Sequence, residues 1–362
     1  MIKYVLSFLL IAHGVIHLLG FVKAYGLATV SAINSNLSKG AGLLWLLTAL
    51  LLMVTAILFF TGMERWWITA IIAVLLSQLL IFSVWKEAKF GTMGNVIILI
   101  AALLSMGIQL FENGFKRDVQ ETLQLSAAAS TETMTEADLQ NLPDPVQRYL
   151  KYAGVLHQPK VRNARIVFDG EMRGKGKEYF PFTSVQYNFF DDPARLFFMQ
   201  ATMSGLLVYG YHRYAAGTAT MTIKLFGIYP VLYQKGDTMN MAETVTLFND
   251  MCLLAPATLI DKRISWTTLD KNIVRGTFTN GKITVSAVLY FQEDGQLVNF
   301  ISGDRTDVSV MKQYPWSTPV SNYKLMNGIN VMTYGEAIWH YPEGPFTYGK
   351  FHLRSIAYNV AE

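Results

Sequence analysis

Four stretches of the chain carry no Asp, Glu, Lys or Arg: Tyr4 to Val22, Gly40 to Gly62, Trp66 to Trp85 and Thr92 to Phe111. Each is close to the roughly 20 apolar residues that take an α-helix, at about 1.5 Å per residue, across about 30 Å of hydrocarbon. Soluble core helices are seldom so long, so apolar and repeated four times, so the pattern predicts four membrane spans. Trp66, Trp67 and Trp85 stand at the ends of the third stretch and Trp45 near the start of the second, where amphipathic rings prefer the head-group layer. Lys3 and the small residues Val30-Ser31-Ala32 give the first stretch some marks of a signal peptide. His13 and His17 inside it, and the three spans that follow, favour a retained helix.

From Lys116 to Asn141 the composition turns to Ser, Thr, Ala, Glu and Gln. The expected organisation is a four-span transmembrane domain over residues 1–115, a linker over 116–141 (clearest at Ser126–Thr135), and a soluble β-rich domain over 142–362. Asp144 as N-cap, Pro145 at the first helical position and Gln147 as capping-box partner predict a short helix ending at Gly154. The period then changes from 3.6 to 2. Between Lys282 and Phe291, Ile283, Val285, Ala287, Leu289 and Phe291 share one face, and Arg162–Met172 alternates in the same way. Further strands are predicted at Phe182–Phe190, Arg195–Ala201, Tyr209–Ala215, Thr220–Phe226, Ile273–Thr279, Gln296–Asp304, Val331–Tyr341 and Gly349–Tyr358. Asn280-Gly281 and Asp294-Gly295 read as hairpin turns.

One helix interrupts the strands. Over Thr238–Ala255, Met241, Val245, Phe248, Cys252 and Ala255 form an apolar stripe, with Glu243, Thr246 and Asp250 opposite it as a solvated face. The expected fold class is therefore a four-helix transmembrane bundle followed by an α+β domain, in which a helix covers a strongly curved antiparallel sheet, a half-barrel.

Composition sharpens this picture little. The chain is 52% hydrophobic and 15% charged, against about 25% charged for a usual soluble protein, and the deficit sits in the four apolar stretches. The net charge of +4 comes from scattered basic residues, which argues against nucleic acid as a partner. Lys3, Arg65, Lys116 and Arg117 on one side of the bilayer balance Lys23, Lys39, Lys86 and Lys89 on the other, so the count sets no topology. Cys252, the one cysteine, excludes an internal disulfide and any cysteine-based zinc site.

No nucleophile elbow, zinc-protease motif or phosphate loop occurs, so no catalytic residue, metal or cofactor is assigned. Asp191-Asp192-Pro193 reads first as a turn. His13 and His17, four apart on one face of the first span, join Gln78 and Asn95 as intramembrane polar residues. They either hydrogen-bond between helices or serve a quinone, metal or proton. Aromatic and methionine residues crowd the first strands, where they either fill the core or line an apolar pocket. The candidate pocket comprises Phe197, Met199, Tyr209 and Tyr211 with Met241, Val245 and Phe248 of the helix.

The run Leu142 to Val155, the residues Gly170 and Met172-Arg173, and Ala255-Pro256-Ala257-Thr258-Leu259 followed by Trp266 resemble an uncharacterised bacterial membrane family. Ala12 to Gly20 and Ser77-Gln78 resemble its multi-span version, so the resemblance covers nearly the whole chain. The order of elements in the C-terminal domain is similar to that of the LolA/LolB-like lipoprotein-localisation factors, half-barrels of the bacterial envelope that hold acyl chains. This implies a multi-pass cell-membrane protein with its soluble domain outside the cytoplasm. The function expected is non-catalytic binding of a membrane lipid or other apolar small molecule in the curved sheet. The alternative is a redox or transport protein working through His13 and His17, with the soluble domain regulatory.

Overall fold

The computed structural model describes residues 2–126 and 132–361, so part of the Ser126–Thr135 linker lies outside the described residues. The chain divides into two compact units, Met1–Phe111 with Phe226–Ile228, and Glu112–Leu225 with Tyr229–Glu362.

Among the described residues, four helices are long and apolar enough to cross a membrane. They are α1 (Ile2–Tyr25), α2 (Lys39–Thr61), α3 (Trp66–Ser83) and α4 (Gly91–Leu125), the last continuing to Leu125. In the first unit Leu10, Leu52, Ala70, Ala73, Ile98 and Ala102 pack together. Phe8, Ile57, Leu79 and Ile100 of the same helices are exposed. Helices apolar on both the packed and the outward side suit hydrocarbon rather than water. Ser38 caps α2 by accepting from the Ala41 N–H, and Gly62 ends it in the left-handed region at φ 79°.

The second unit contains α5 (Asp144–Ala153), which stops at the left-handed Gly154. Its N-cap is Pro143 and the predicted capping box is absent, because proline offers no N–H for a side chain to accept from. Gln147 donates instead to the Leu142 carbonyl. Strands follow as β1 (Asn163–Met172), β2 (Phe180–Phe189), β3 (Ala194–Met203), β4 (Leu206–Ala215), β5 (Thr218–Leu225) and β6 (Tyr229–Lys235). After α6 (Asp237–Leu254) come β7 (Ile264–Asp270), β8 (Ile273–Asn280), β9 (Ile283–Phe291) and β10 (Leu297–Ser302). The chain finishes with β11 (Trp316–Ser317), β12 (Tyr334–Tyr341) and β13 (Gly344–Tyr358).

Among the described residues these strands form one antiparallel 14-stranded sheet, the short Val320–Ser321 pairing on β12 being the fourteenth. Its order is β6-β5-β4-β3-β2-β1-β13-β12-β11-β10-β9-β8-β7. Read as a circle, this is chain order: an up-and-down meander whose first strand pairs with its last. The circle is open only between β6 and β7, where α6 is inserted.

The placement of α6 shows how strongly the sheet bends. This helix packs on β5 and β6 and also on β9 and β10. In a flat sheet β5 and β9, nine places apart, would stand about 40 Å from each other. A helix about 10 Å across can touch both only if the sheet curls around it. At one rim Asn280 Nδ2, ending β8, donates to Tyr214 Oη of β4 at 2.7 Å, and Tyr214 Oη lies 2.7 Å from Thr244 Oγ1 of α6. At the other end of α6, Arg263 before β7 donates to the carbonyls of Phe190 and Asp191 after β2. The half-barrel is held nearly shut while its edges stay unpaired.

Bulk and its absence seat the helix. Phe248 of α6 is fully buried, stacks on Phe278 at 5.6 Å and meets Phe300 edge-on at 5.6 Å. Gly276 of β8 makes room, since a Cβ there would stand 2.8 Å from Phe248 Cζ. Replacing Phe248 by Ala is expected to lower stability by about 3–5 kcal/mol, the range for deleting a buried ring. Urea unfolding of the detergent-solubilised full chain checks this, and a loss below about 1 kcal/mol would contradict the packing.

Candidate functional site

The pattern of the helix predicts that Glu243 and Asp250 lie on a wet face. The structure corrects this: they are 2% and 7% exposed, and α6 is buried on almost every side. Their spacing of seven puts both on one face, two turns apart, together with Thr246. That face looks at the concave side of the sheet. There, antiparallel register lines up two neighbouring rows across β2, β3 and β4. One is Gln186, Phe197 and His212, and the next is Asn188, Arg195 and Tyr214.

Arg195 is the hub. Its Nη1 donates to Glu243 Oε2 at 3.0 Å, its Nε to Asp250 Oδ2 at 2.9 Å and its Nη2 to Gln186 Oε1 at 2.9 Å. Asp250 Oδ2 also accepts from Gln186 Nε2 at 2.6 Å and Asn188 Nδ2 at 3.1 Å. His212 Nδ1 lies 3.0 Å from Glu243 Oε1. Two buried carboxylates are thus held by one buried guanidinium and a shell of neutral donors, the condition for ions to survive away from water. Burial alone would raise the Glu243 carboxyl; the charge of Arg195 and the His212 bond outweigh it and hold it at about 2. At Asp250 burial prevails over Arg195 and the amide donors, so its carboxyl is raised. Burial likewise opposes the charge on Arg195, and Asp250 and Glu243 more than offset it, leaving its pKa raised.

Beside this network the curved sheet and α6 enclose a cavity of about 120 Å³. Phe168, Met172, Phe197, Trp316, Met332 and Phe351 give it apolar walls; Arg195, His212, Glu243, Asn249, Asp250 and Arg305 give it polar ones. Arg305 lies with its guanidinium carbon 4.1 Å from the centre of the Trp316 ring and 5.8 Å from that of Trp339. Among the described residues, no three His, Cys, Asp or Glu side chains are grouped as metal ligands.

The pocket set named from sequence is divided by the structure. Phe197 lines the cavity, with Met199 one row farther along the same concave face. Tyr209 and Tyr211 fall on the other face, because residues one apart on a strand point to opposite sides. There Tyr211 packs edge-on to Phe115 at 5.5 Å and donates to Asp118 Oδ2 at 2.7 Å. Val245 and Phe248 are core residues, and Met241 is half-buried, its sulfur 3.7 Å from Gln313 Nε2. Of the residues that line the polar side, the sequence pattern marks Glu243 and Asp250 only as a solvated face and does not mark Arg195, His212 or Arg305. One signal for them is present in the sequence: two carboxylates seven apart on one face of a helix inside a β-domain.

The four intramembrane residues do come together. His13 Nε2 donates to Asn95 Oδ1 at 2.9 Å, which also accepts from Ser77 Oγ at 2.9 Å. Asn95 Nδ2 donates to Gln78 Oε1 at 2.9 Å, and Gln78 Nε2 to Thr92 Oγ1 at 3.2 Å. Gly94 lets the helices close, since a Cβ there would stand 3.2 Å from His13 Nδ1. His17 Nδ1 donates to the His13 carbonyl at 2.9 Å, while its buried Nε2 has no partner among the described residues.

The depressed Glu243 carboxyl predicts a pH dependence. Its ordinary value is 4.5 and its folded value about 2, so its stabilisation is complete above 4.5 and is lost as pH falls from there through about 2. The amount is on the order of 3 kcal/mol. The raised Asp250 acts in the opposite sense, so the difference between wild type and Glu243→Gln isolates Glu243. In acid titrations of full-chain stability that difference should shrink steadily between pH 4.5 and 2. A constant difference would mean that Glu243 is not ionised.

No curated protein matches the chain in sequence. A crystal structure of a domain described as an outer membrane lipoprotein-sorting protein, from Vibrio parahaemolyticus, is similar at 9% identity and a TM-score of 0.35, covering 54% of this chain and 85% of that one. A LolA superfamily protein from Nitrosomonas europaea is similar at 8% identity and a TM-score of 0.35, covering 60% of this chain and 94% of that one. The case for function therefore rests on this chain's own residues. Residues 132–351, more than half of the chain, match a family of unknown function, DUF6544, and the chain belongs to that family.

Proposed function

We propose that this protein is a membrane-anchored binding protein, which takes an apolar or amphipathic small molecule into the cavity between α6 and the concave sheet and performs no covalent chemistry. The observation that carries this reading is the cavity itself. Its walls are mostly apolar, and a few fixed polar groups converge on it, the usual composition of a small-molecule site. The four apolar helices supply the anchor. At about 120 Å³ the cavity is close to the roughly 150 Å³ apolar void that accepts benzene. A ring or a short branched group enters it as it stands, and a full acyl chain requires α6 to move outward.

The test must separate a cavity ligand from lipid around the helices. Full-length protein and an Ala337→Phe variant, which fills the cavity from β12, are purified alike and their organic extracts compared by mass spectrometry. A molecule near one per chain in wild type and missing from the variant, with the other lipids unchanged, is expected. Identical extracts, with no change in melting temperature when apolar compounds are added to wild type, would end the proposal.

One observation favours a second reading, in which the membrane unit does the work: the buried His17 Nε2 has no partner among the described residues. A redox or transport role through His13 and His17 predicts a Soret band or a co-purifying quinone in the full-length protein. A featureless visible spectrum with no quinone in the extract removes it.

A further inference from the structure

The cavity holds two guanidinium groups in different circumstances. Arg195 has its donors engaged by Glu243, Asp250 and Gln186. Arg305 makes no hydrogen bond and no ion pair among the described residues, although it lines the same cavity and is only partly exposed. The carboxylates nearest to it in the chain are engaged elsewhere. Asp304 accepts from the Ser286 backbone N–H at 2.6 Å and from its hydroxyl at 3.0 Å. Asp307 accepts from Ser309 and from Tyr341 Oη at 2.6 Å. Glu243, across the cavity, is shared between Arg195 and His212.

What Arg305 does have is a seat. Its guanidinium lies against Trp316, and Trp316 is itself fixed by donating Nε1–H to Tyr348 Oη at 3.2 Å. Stacking of this kind holds a guanidinium without using any of its five N–H donors, which point outward from the edge of the plane. A half-dry guanidinium seated against an aromatic ring, with its donors free among the described residues, is a preorganised receptor for a planar or tetrahedral anion.

From this geometry we infer that Arg305 is an anion-binding group of the cavity, and that the ligand is an amphipathic anion with its carboxylate or phosphate on Arg305 and its apolar part between Phe197, Met332 and Phe351. The inference rests on the cavity being a ligand site, as proposed above. It goes further by fixing the chemical class of the ligand and the end of the molecule that is recognised. Formal charge in the cavity does not favour an anion, since two guanidiniums face three carboxylates, Glu243, Asp250 and Glu336. The distribution of partners decides the matter, because Glu243 and Asp250 are bound to Arg195 and its neighbours and Glu336 accepts from the Tyr334 and Thr347 hydroxyls.

The test uses full-length protein in nanodiscs and three water-soluble probes that share one ring and chain: phenylpropionate, phenylpropyl phosphate and phenylpropanol. Titration is followed by tryptophan fluorescence, which Trp316 and Trp339 should report, and by calorimetry. Wild type is expected to bind at least one of the two anions about tenfold or more tighter than the alcohol. A preference for the carboxylate points to a free acid as the natural ligand, and a preference for the phosphate points to a lipid phosphate. In Arg305→Met the anion and the alcohol should bind alike, at about the wild-type affinity for the alcohol. Arg305→Lys, which keeps charge and stem but loses the fork, should retain part of the preference. If wild type binds alcohol and anions equally, or if Arg305→Met keeps the preference, the inference falls and the apolar cavity stands. If none of the three probes binds wild type, the cavity reading falls and takes this inference with it.

Discussion

The architecture of the second unit depends on one requirement, that the charges of Glu243 and Asp250 be met inside the protein. A helix carrying two buried carboxylates cannot lie on an ordinary apolar sheet, because an unpaired buried ion costs several kcal/mol. It needs a guanidinium at the depth of the sheet surface, and Arg195 on β3 supplies it with Gln186 and Asn188 beside it. That pairing fixes the rotation of α6 about its axis, and so decides which side faces the cavity and which side carries Phe248 into the core. With the helix held by β2, β3 and β4 on one side, the later strands can bury their apolar face only by curling over its far side. The cavity is the space left where apolar packing gives way to the ion network.

Much of this could be read from the chain, and the failures have physical causes. Strands with one buried face announced themselves by alternation, as in Ile283 to Phe291, which the structure shows as β9. The two long strands not predicted, β6 and β7, are the two edges of the sheet. An edge strand has less to bury and a weaker period. Pro230 in β6 is a residue tolerated at such an edge, and β7 is largely exposed. The helix at Asp237–Leu254 was legible in position but not in role. Pattern reasoning takes polar residues to be wet, and the partner that contradicts this, Arg195, lies 48 and 55 positions away. Tyr209 and Tyr211 were placed in the pocket on aromatic content, whereas strand parity assigns them to the opposite face.

The membrane unit shows a related economy at lower polarity. In its interior, neutral side chains are linked in a string of hydrogen bonds from His13 through Asn95 and Gln78 to Thr92. Such a string orients three helices against one another without asking hydrocarbon to hold a charge. Gly94 gives the His13 ring its space, and Gly91 does the same for Ile81.

The pairing of β1 with β13 bears on how the protein is made. Asn163 exchanges hydrogen bonds with Val360, 197 positions later, and β1 keeps one bare edge until Gly344–Tyr358 has been synthesised. The first six strands can form as local hairpins soon after they emerge, and α6 can find Arg195 at once. The seam closes last, and closing it requires a long loop of chain to be ordered. During that interval an exposed strand edge stands beside a half-built apolar cup, a state open to pairing with another chain. The step most exposed to failure in the cell is therefore the meeting of the domain's first strand with its last.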